Sequence, residues 1–203
     1  MKKFGSVKAL EELGRQRLSQ SFFLRDFLHS EIASFYGLSN VPDDPELAVA
    51  AGAKLCQELL EPLQMRFGRI AIRSAYRSCE VNELGNRKGH NCARNEANYA
   101  NHIWDRRDAG GFMGATACIV IPYLVDRMEK GSCTWQAMAW WIHDNLPYSR
   151  LQFFPKLAAF NIQWHEKPLR RIESFIEPRG LLTKEGMSNW IGDHSDLYRS
   201  VLD

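Results

Sequence analysis

The sequence has no long hydrophobic run and no marked excess of charge of either sign. No stretch of about 18 apolar residues occurs without a charged residue, which argues against a transmembrane helix. Near the start, Lys8, Glu11 and Glu12 interrupt the apolar core that a secretion signal would need. The 26 basic and 24 acidic residues give a formal charge of +2, so no general attraction to nucleic acid or to a membrane follows. We therefore expect a cytoplasmic protein with no membrane partner.

Regular cysteine spacing, internal repeats and low-complexity segments are absent as well. The 5 cysteines are an odd number, and this favours reduced, mostly buried thiols over a disulfide framework. They are Cys56, Cys79, Cys92, Cys118 and Cys133. With 203 residues, 45% of them hydrophobic, the chain can bury the core of one domain. We expect an N-terminal extension over 1–20, a domain over 21–177, and a tail over 178–203 that packs on the domain.

Hydrophobic spacing predicts an α+β order of elements. Leucines at helical spacing predict a helix over 46–67 that ends at Gly68, and a shorter helical segment is predicted over 21–35. The polar stretch 80–111 is typical of a functional loop with short helical turns. Further along the chain the pattern predicts strands at 70–72, 118–121, 149–154 and 160–164, a helix over 134–143, a short element over 169–175 and a final helix in the tail.

Several short segments occur in an informative order. Ser74-Ala75-Tyr76-Arg77-Ser78 follows the first predicted strand, and Asn82 comes shortly after it. A strand with the pattern Gly-x-x-Ala-x-Ile-x-x-Pro begins at Gly114, and a Trp164-His165 pair comes late in the chain. This order resembles the zinc D-alanyl-D-alanine carboxypeptidase family, whose fold is shared with hedgehog signalling domains and some phage endolysins. The resemblance covers roughly 21–172 and implies a small antiparallel sheet flanked by helices.

The resemblance implies roles for several side chains. In that family a Ser-Gly-Tyr-Arg-Ser segment places an arginine at the edge of the site, and Arg77 would hold a peptide carbonyl or carboxylate there. A guanidinium suits this role because it is always charged and presents a fork of donors. Arg77 could instead be structural, with its aliphatic stem packed over an aromatic ring. Trp104 and Trp164 would frame the same substrate-binding cleft.

The family's metal site, a His-x-x-Gly-x-Ala-x-Asp motif with a later histidine, is matched imperfectly. Aligning the second half of the motif on Gly114 puts Gly111 in the histidine position and Cys118 in the aspartate position. Aligning His102 on the histidine requires an inserted loop over 109–113. We expect zinc to be bound by His102 and His165, with Asp108, Asp105 or Cys118 as the third ligand, since carboxylate and thiolate both bind zinc.

A general base is missing where the resemblance would place one. The chain has no acidic residue between Asn145 and Trp164, and Glu166 would point away from the metal because neighbouring strand residues face opposite sides. Either Asp105 or Asp108 replaces the base, or the hydrolytic chemistry is absent.

Three functions therefore remain open at the level of sequence. The first is a zinc-dependent peptidase that cleaves a peptide or amide bond, such as one in cell-wall peptide, in a cytoplasmic enzyme or a phage-encoded protein released by lysis. The second is a catalytically inactive relative whose cleft binds a peptide or a protein. The third, ranked last, is a nucleic-acid module, because six basic residues fall close together. They are Arg69, Arg73, Arg77, Arg87, Lys88 and Arg94.

Overall fold

The chain has an α+β fold in a computed structural model that describes residues 6–202. The helices are α1 (Val7–Gly14), α2 (Glu31–Tyr36), α3 (Pro45–Leu55), α4 (Glu61–Phe67), α5 (Cys79–Arg87), α6 (Asn95–Asn98), α7 (Pro122–Glu129), α8 (Trp135–Asn145) and α9 (Arg199–Leu202). The strands are β1 (Ala71–Ser74), β2 (Gly114–Val120), β3 (Arg150–Phe153), β4 (Phe160–His165), β5 (Arg171–Ser174) and β6 (Gly180–Thr183). Across residues 6–202, no helix combines the length and apolar character that a membrane crossing requires.

The strands form one open sheet in the order β1-β2-β4-β3-β5-β6. The neighbouring pairs are antiparallel except β3 and β5, which run parallel. The predicted α+β class is confirmed, and the sheet is mixed and mostly antiparallel. Strand β6 lies within the predicted C-terminal tail, so this part of the chain contributes a strand to the sheet.

The helical pattern over 46–67 is confirmed, but the run is not one regular α-helix. A π-helical turn, Cys56–Leu60, separates α3 from α4. The cause is Pro62, which has no N–H and cannot make the usual bond to the carbonyl four residues earlier. The wider π-turn relieves this conflict within a continuous helical run. Gly68 ends α4 with a φ of 79°, in the left-handed region that favours glycine.

Two predicted segments differ from what the structure shows. The stretch 21–35 is not one helical segment, because residues 28–30, which belong to no helix or strand, separate a 3₁₀ turn over Leu24–Phe27 from helix α2. The polar stretch 80–111 includes all but the first residue of the nine-residue helix α5, which begins where the Ser78 hydroxyl accepts a hydrogen bond from Val81 N at 3.3 Å. The serine cap, with a glutamate in the first turn, supplied a local signal for this helix.

The sheet has one apolar face and one polar face. Ala117 on β2 and Ile162 on β4 are fully buried and belong to the hydrophobic core, which packs this face against α3 and the π-turn. Residues of the opposite parity form rows across the strands on the other face. These rows are Thr116, Gln163 and Arg150, and next to them Cys118, Asn161 and Gln152.

Residues 98–106, named here the crossing segment, lie over one end of the polar face. Thr116 N donates to Asn101 O at 2.9 Å, and the Gln163 amide donates to Ala100 O at 3.1 Å. The approach is closest at Gly114, where a Cβ atom would lie 2.3 Å from Ala100 O. The glycine that opens the Gly-x-x-Ala pattern is therefore required by backbone packing.

Candidate binding cleft

The polar face of the sheet is the floor of a cleft of about 1040 Å³. One wall is built from residues of α6 and the crossing segment, including Asn98, Asn101 and His102. The opposite side is formed by Phe154, which follows β3, and Phe175, which follows β5. The floor is rich in carboxamides because Asn and Gln occupy the cleft-facing positions of β3 and β4. These residues are Gln152, Asn161 and Gln163.

The cleft carries an excess of positive charge. Arg73, Arg77 and Arg150 line it, and Glu31 is the only carboxylate among the described lining residues. Within residues 6–202, neither Arg73 nor Arg150 forms an ion pair with a carboxylate. Charges that are not neutralised by the protein are available to a ligand, so the cleft favours an anionic group.

His102 is the one predicted zinc-ligand histidine that lines the cleft. It is buried, and its Nδ1 lies 2.8 Å from Ala75 O. Burial, assisted by the charge of Arg77, lowers the pKa of His102 to about 3. The imidazole is therefore neutral, with Nδ1–H donated to Ala75 O and Nε2 available as an acceptor or a metal ligand.

Cys118 also lines the cleft, at the centre of the floor. Burial raises the pKa of its thiol, although the nearby charges of Arg73 and Arg77 act in the opposite direction. A protonated thiol is a weak nucleophile, so Cys118 in this environment is better suited to contact than to attack.

Arg77 is held by the protein rather than extended freely into the cleft. Its Nη1 donates to Asn82 Oδ1 at 3.2 Å and to Cys92 Sγ at 3.1 Å. Asn82 is fully buried and in turn donates to Ala93 O at 3.0 Å and to Asn95 Oδ1 at 2.9 Å. The guanidinium is thus oriented by a buried polar network that includes the asparagine of the sequence pattern.

Asp108 and His165 come together, but neither lines the cleft that contains His102 and Cys118. His165 Nε2 lies 3.2 Å from Asp108 Oδ2, and its Nδ1 lies 3.0 Å from Lys167 N. Asp108 Oδ1 accepts from the amides of Gly110 and Phe112, and these backbone bonds contribute to lowering its pKa. In the sheet His165 pairs with Gly114, about 13 Å along β2 from Cys118. Four of the five candidate ligands are therefore divided between the cleft and the contact of Asp108 with His165.

Three other predicted site residues lie outside the cleft lining. Trp104 is fully buried in the core, where its Nε1 donates to Thr116 O at 3.2 Å. Trp164 lies on the apolar face and donates to Glu58 Oε2 at 2.7 Å. Asp105 is buried and accepts a hydrogen bond from Asp43 N at 2.7 Å. The structure thus places neither of the two tryptophans nor Asp105 among the residues that line this cleft.

One group of possible metal ligands lies elsewhere. His143, Asp144 and His194 each bring one ligand atom within 4.8 Å of the others, and no other such group of three is found in residues 6–202. All four ring nitrogens already have protein partners, so a cation would displace existing hydrogen bonds. The partners are Tyr148 Oη and Trp190 O for His143, and Asp144 Oδ1 and Asn189 O for His194.

Comparison with known proteins returned no match to any family model, curated protein or solved structure.

Sequence reasoning missed the carboxamides of the floor, although the alternation in Asn161-Ile162-Gln163 was a readable signal for one polar strand face. It also missed the grouping of His143 with His194, because these histidines are far apart in the chain and lack metal-ligand spacing.

Proposed function

We propose that the protein binds a short peptide through a terminal carboxylate, in a peptidase-like cleft that does not catalyse hydrolysis. The observation that carries the proposal is the composition of the cleft lining, which includes three arginines and a single carboxylate, Glu31. Arginine pairs with carboxylate through two parallel hydrogen bonds, which makes it well suited to a peptide terminus. The likeness of the sequence to the zinc D-alanyl-D-alanine carboxypeptidases supports a peptide as the ligand.

The carboxamides of the floor support the same ligand class. An asparagine or glutamine side chain offers both a donor and an acceptor, and a peptide bond needs both. Gln152 and Asn161, which share a hydrogen bond of 3.3 Å, present such groups in neighbouring strands, whereas the amide nitrogen of Gln163 already donates to Ala100 O. A ligand lying on them can satisfy its backbone N–H and C=O groups without loss of hydrogen bonds on leaving water.

Hydrolysis is not part of this proposal because neither His102 nor Cys118, the two predicted zinc ligands that line the cleft, suits the role of the base. In hydrolysis, a general base has to accept a proton from the attacking water. His102 is neutral but has an exceptionally low proton affinity, and Cys118 has a raised pKa. Neither group has a pKa close to neutral pH, where a general base or a thiolate nucleophile would have to act.

Calorimetric titration with acetylated tripeptides tests the proposal. Peptides ending in D-Ala-D-Ala and in L-Ala-L-Ala would be compared with their C-terminal amides, which keep the shape and remove the charge. We expect the acids to bind at least about tenfold more tightly than the amides, since a hydrogen bond to a charged group contributes about 1.5–3 kcal/mol.

A matched pair of arginine variants locates the binding. Arg73→Gln removes an exposed guanidinium from the cleft, whereas Arg87→Gln removes an exposed one at the end of α5 outside its lining. We expect the first variant to weaken binding of the acid and the second to leave it unchanged. Equal affinities for acids and amides, or no binding of either, would contradict the proposed function.

A zinc hydrolase is the second candidate function. It is favoured by the bond from His102 to Ala75 O, because a metal-binding histidine commonly donates its other nitrogen to a carbonyl. Cys118 could supply a thiolate ligand nearby on the same cleft floor. In the described part of the chain, however, neither His102 nor Cys118 belongs to a group of three His, Cys, Asp or Glu side chains with ligand atoms within 4.8 Å of one another. We therefore rank this candidate second.

Elemental analysis for zinc separates the two candidates. Wild-type protein would be measured beside His102→Ala, Cys118→Ala, His165→Ala and His194→Ala. We expect the variants at positions 102, 118 and 165 to have the same zinc content as the wild type. One zinc per chain that is lost in both His102→Ala and Cys118→Ala would favour the hydrolase, and loss in His194→Ala alone would place the metal with His143 and Asp144.

A further inference from the structure

Phe154 and Phe175 form an aromatic rim at one end of the cleft. Their rings stack with centroids 5.6 Å apart and planes 11° apart, and both line the cleft. Phe175 is 52% exposed, although phenylalanine side chains are usually buried. An exposed aromatic surface bordering a polar cleft is characteristic of a contact for an apolar part of a ligand.

The backbone holds the aromatic rim in place. Phe154 N donates to Ala159 O at 2.7 Å, and Phe175 N donates to Phe153 O at 2.8 Å. The two rings therefore stand on hydrogen-bonded backbone at the ends of β3 and β5. A surface fixed in this way loses little conformational entropy when a ligand binds.

The distance from the aromatic rim to the arginines sets the length of the ligand. Cys118, on which the charges of Arg73 and Arg77 act, lies in the same cross-strand row as Gln152. Phe154 is two residues beyond Gln152 along β3. Two strand spacings and two residues of rise separate Cys118 from Phe154 by about 12 Å. An extended peptide covers that distance in about three or four residues.

We propose that the cleft selects peptides with an aromatic or branched apolar side chain about three residues before the terminal carboxylate, and that the aromatic rim receives this side chain. The inference rests on the proposed function and adds the substrate class. The carboxamides of the floor support a peptide over a nucleotide, since an asparagine or glutamine side chain matches the paired N–H and C=O groups of a peptide backbone. A nucleotide base stacked on the rim is therefore the less favoured occupant.

A positional scan of peptides tests the inference. Acetylated alanine-glycine pentapeptide acids would carry one phenylalanine at each of the four positions before the last residue, with the same chirality as the better tripeptide ligand. We expect affinity to peak about three residues before the carboxylate, at least about tenfold above the peptide without phenylalanine, which corresponds to about 1.4 kcal/mol.

The variant Phe175→Ser should abolish the preference, so that the peptides with phenylalanine bind no more tightly to this variant than the peptide without it. Phe35→Ser is the control, because Phe35 is 81% exposed and lies outside the cleft lining. Binding of all acids without positional preference would overturn this inference and leave the proposed function standing. Absence of binding by every acid would overturn both, and tighter, Phe175-dependent binding of a single-stranded oligonucleotide would replace the peptide as the ligand.

Discussion

His102 couples the cleft to the acid stability of the molecule. Its pKa is about 3 in the folded chain, against an ordinary value of 6.5. Between these values the unfolded chain binds a proton that the folded chain does not. Stability from this group is therefore fully present above about pH 6.5 and is lost as the pH falls, by up to about 1.4 kcal/mol per pH unit.

The variant His102→Gln should reduce this sensitivity. Between about pH 7 and pH 5 we expect the free energy of unfolding of the wild type to fall by about 2 kcal/mol more than that of the variant. Urea unfolding at the two pH values provides the measurement. The exposed His29 serves as the control, since His29→Gln should preserve the wild-type difference. A variant as acid-sensitive as the wild type would show that His102 is protonated in the folded chain.

Residue patterns alone predicted part of the candidate site. Arg77, His102 and Cys118 were singled out in the sequence and line one cleft. Trp104 and Trp164 were not recognised as core residues, because a tryptophan next to a polar sequence pattern looks the same whether its ring faces a ligand or the interior. The orientation of the rings depends on strand register and on the path of the crossing segment, which local sequence does not encode.

At the scale of elements, the position of β2 beneath the crossing segment gives a sharp prediction. A Cβ at Gly114 would meet Ala100 O at 2.3 Å and Trp164 O at 3.0 Å, and both contacts are with backbone. We expect Gly114→Ala to lower the free energy of unfolding by about 4 kcal/mol or more, as severe core clashes do.

Gly37→Ala is the matched control for this prediction. Gly37 has a φ of 67° and open space around it, so the cost comes from backbone conformation alone and should be about 1–2 kcal/mol. Chemical denaturation of both variants compares the two costs. Similar losses for the two would mean that the crossing segment moves aside easily.

The strength of local signals explains which elements could be predicted. The run over 46–67, with its repeated leucines and terminal glycine, and the alternating strand β4 were predicted with nearly correct bounds. The π-turn was missed because its cause, Pro62, was not weighed against the helical pattern around it. Strand β6 was missed because Gly180-Leu181-Leu182-Thr183 is too short to show alternation, and only pairing with β5 makes it a strand.

For the whole molecule, the C-terminal segment is an integral part of the fold. It supplies β6 to the sheet, and Arg127 donates to Ser200 O at 2.8 Å while Val201 is buried. We expect a chain that ends at Glu177 to unfold about 10 °C or more below the full chain, since each kcal/mol lowers the midpoint by a few degrees. Calorimetry measures the difference.

A chain that ends at Val201 is the control for this truncation, because it keeps β6 and most of α9. It should unfold close to the full-length chain. If the chain ending at Glu177 unfolded at the same temperature as well, the segment from 178 onward would be an appendage, and the sheet would be complete without it.

Side chains along β2 and β4 alternate between the two faces of the sheet, so the residues that form the core differ from those that form the cleft. One set of side chains, such as Ala117 and Ile162, closes the core, while its immediate neighbours, Cys118 and Asn161, face the cleft. A substitution at Cys118 or Asn161 changes the cleft without replacing any of the side chains that form the core behind the sheet. The protein is thus a scaffold on which new metal ligands or new specificities can be introduced pair by pair, through evolution or through engineering, at small cost to folding.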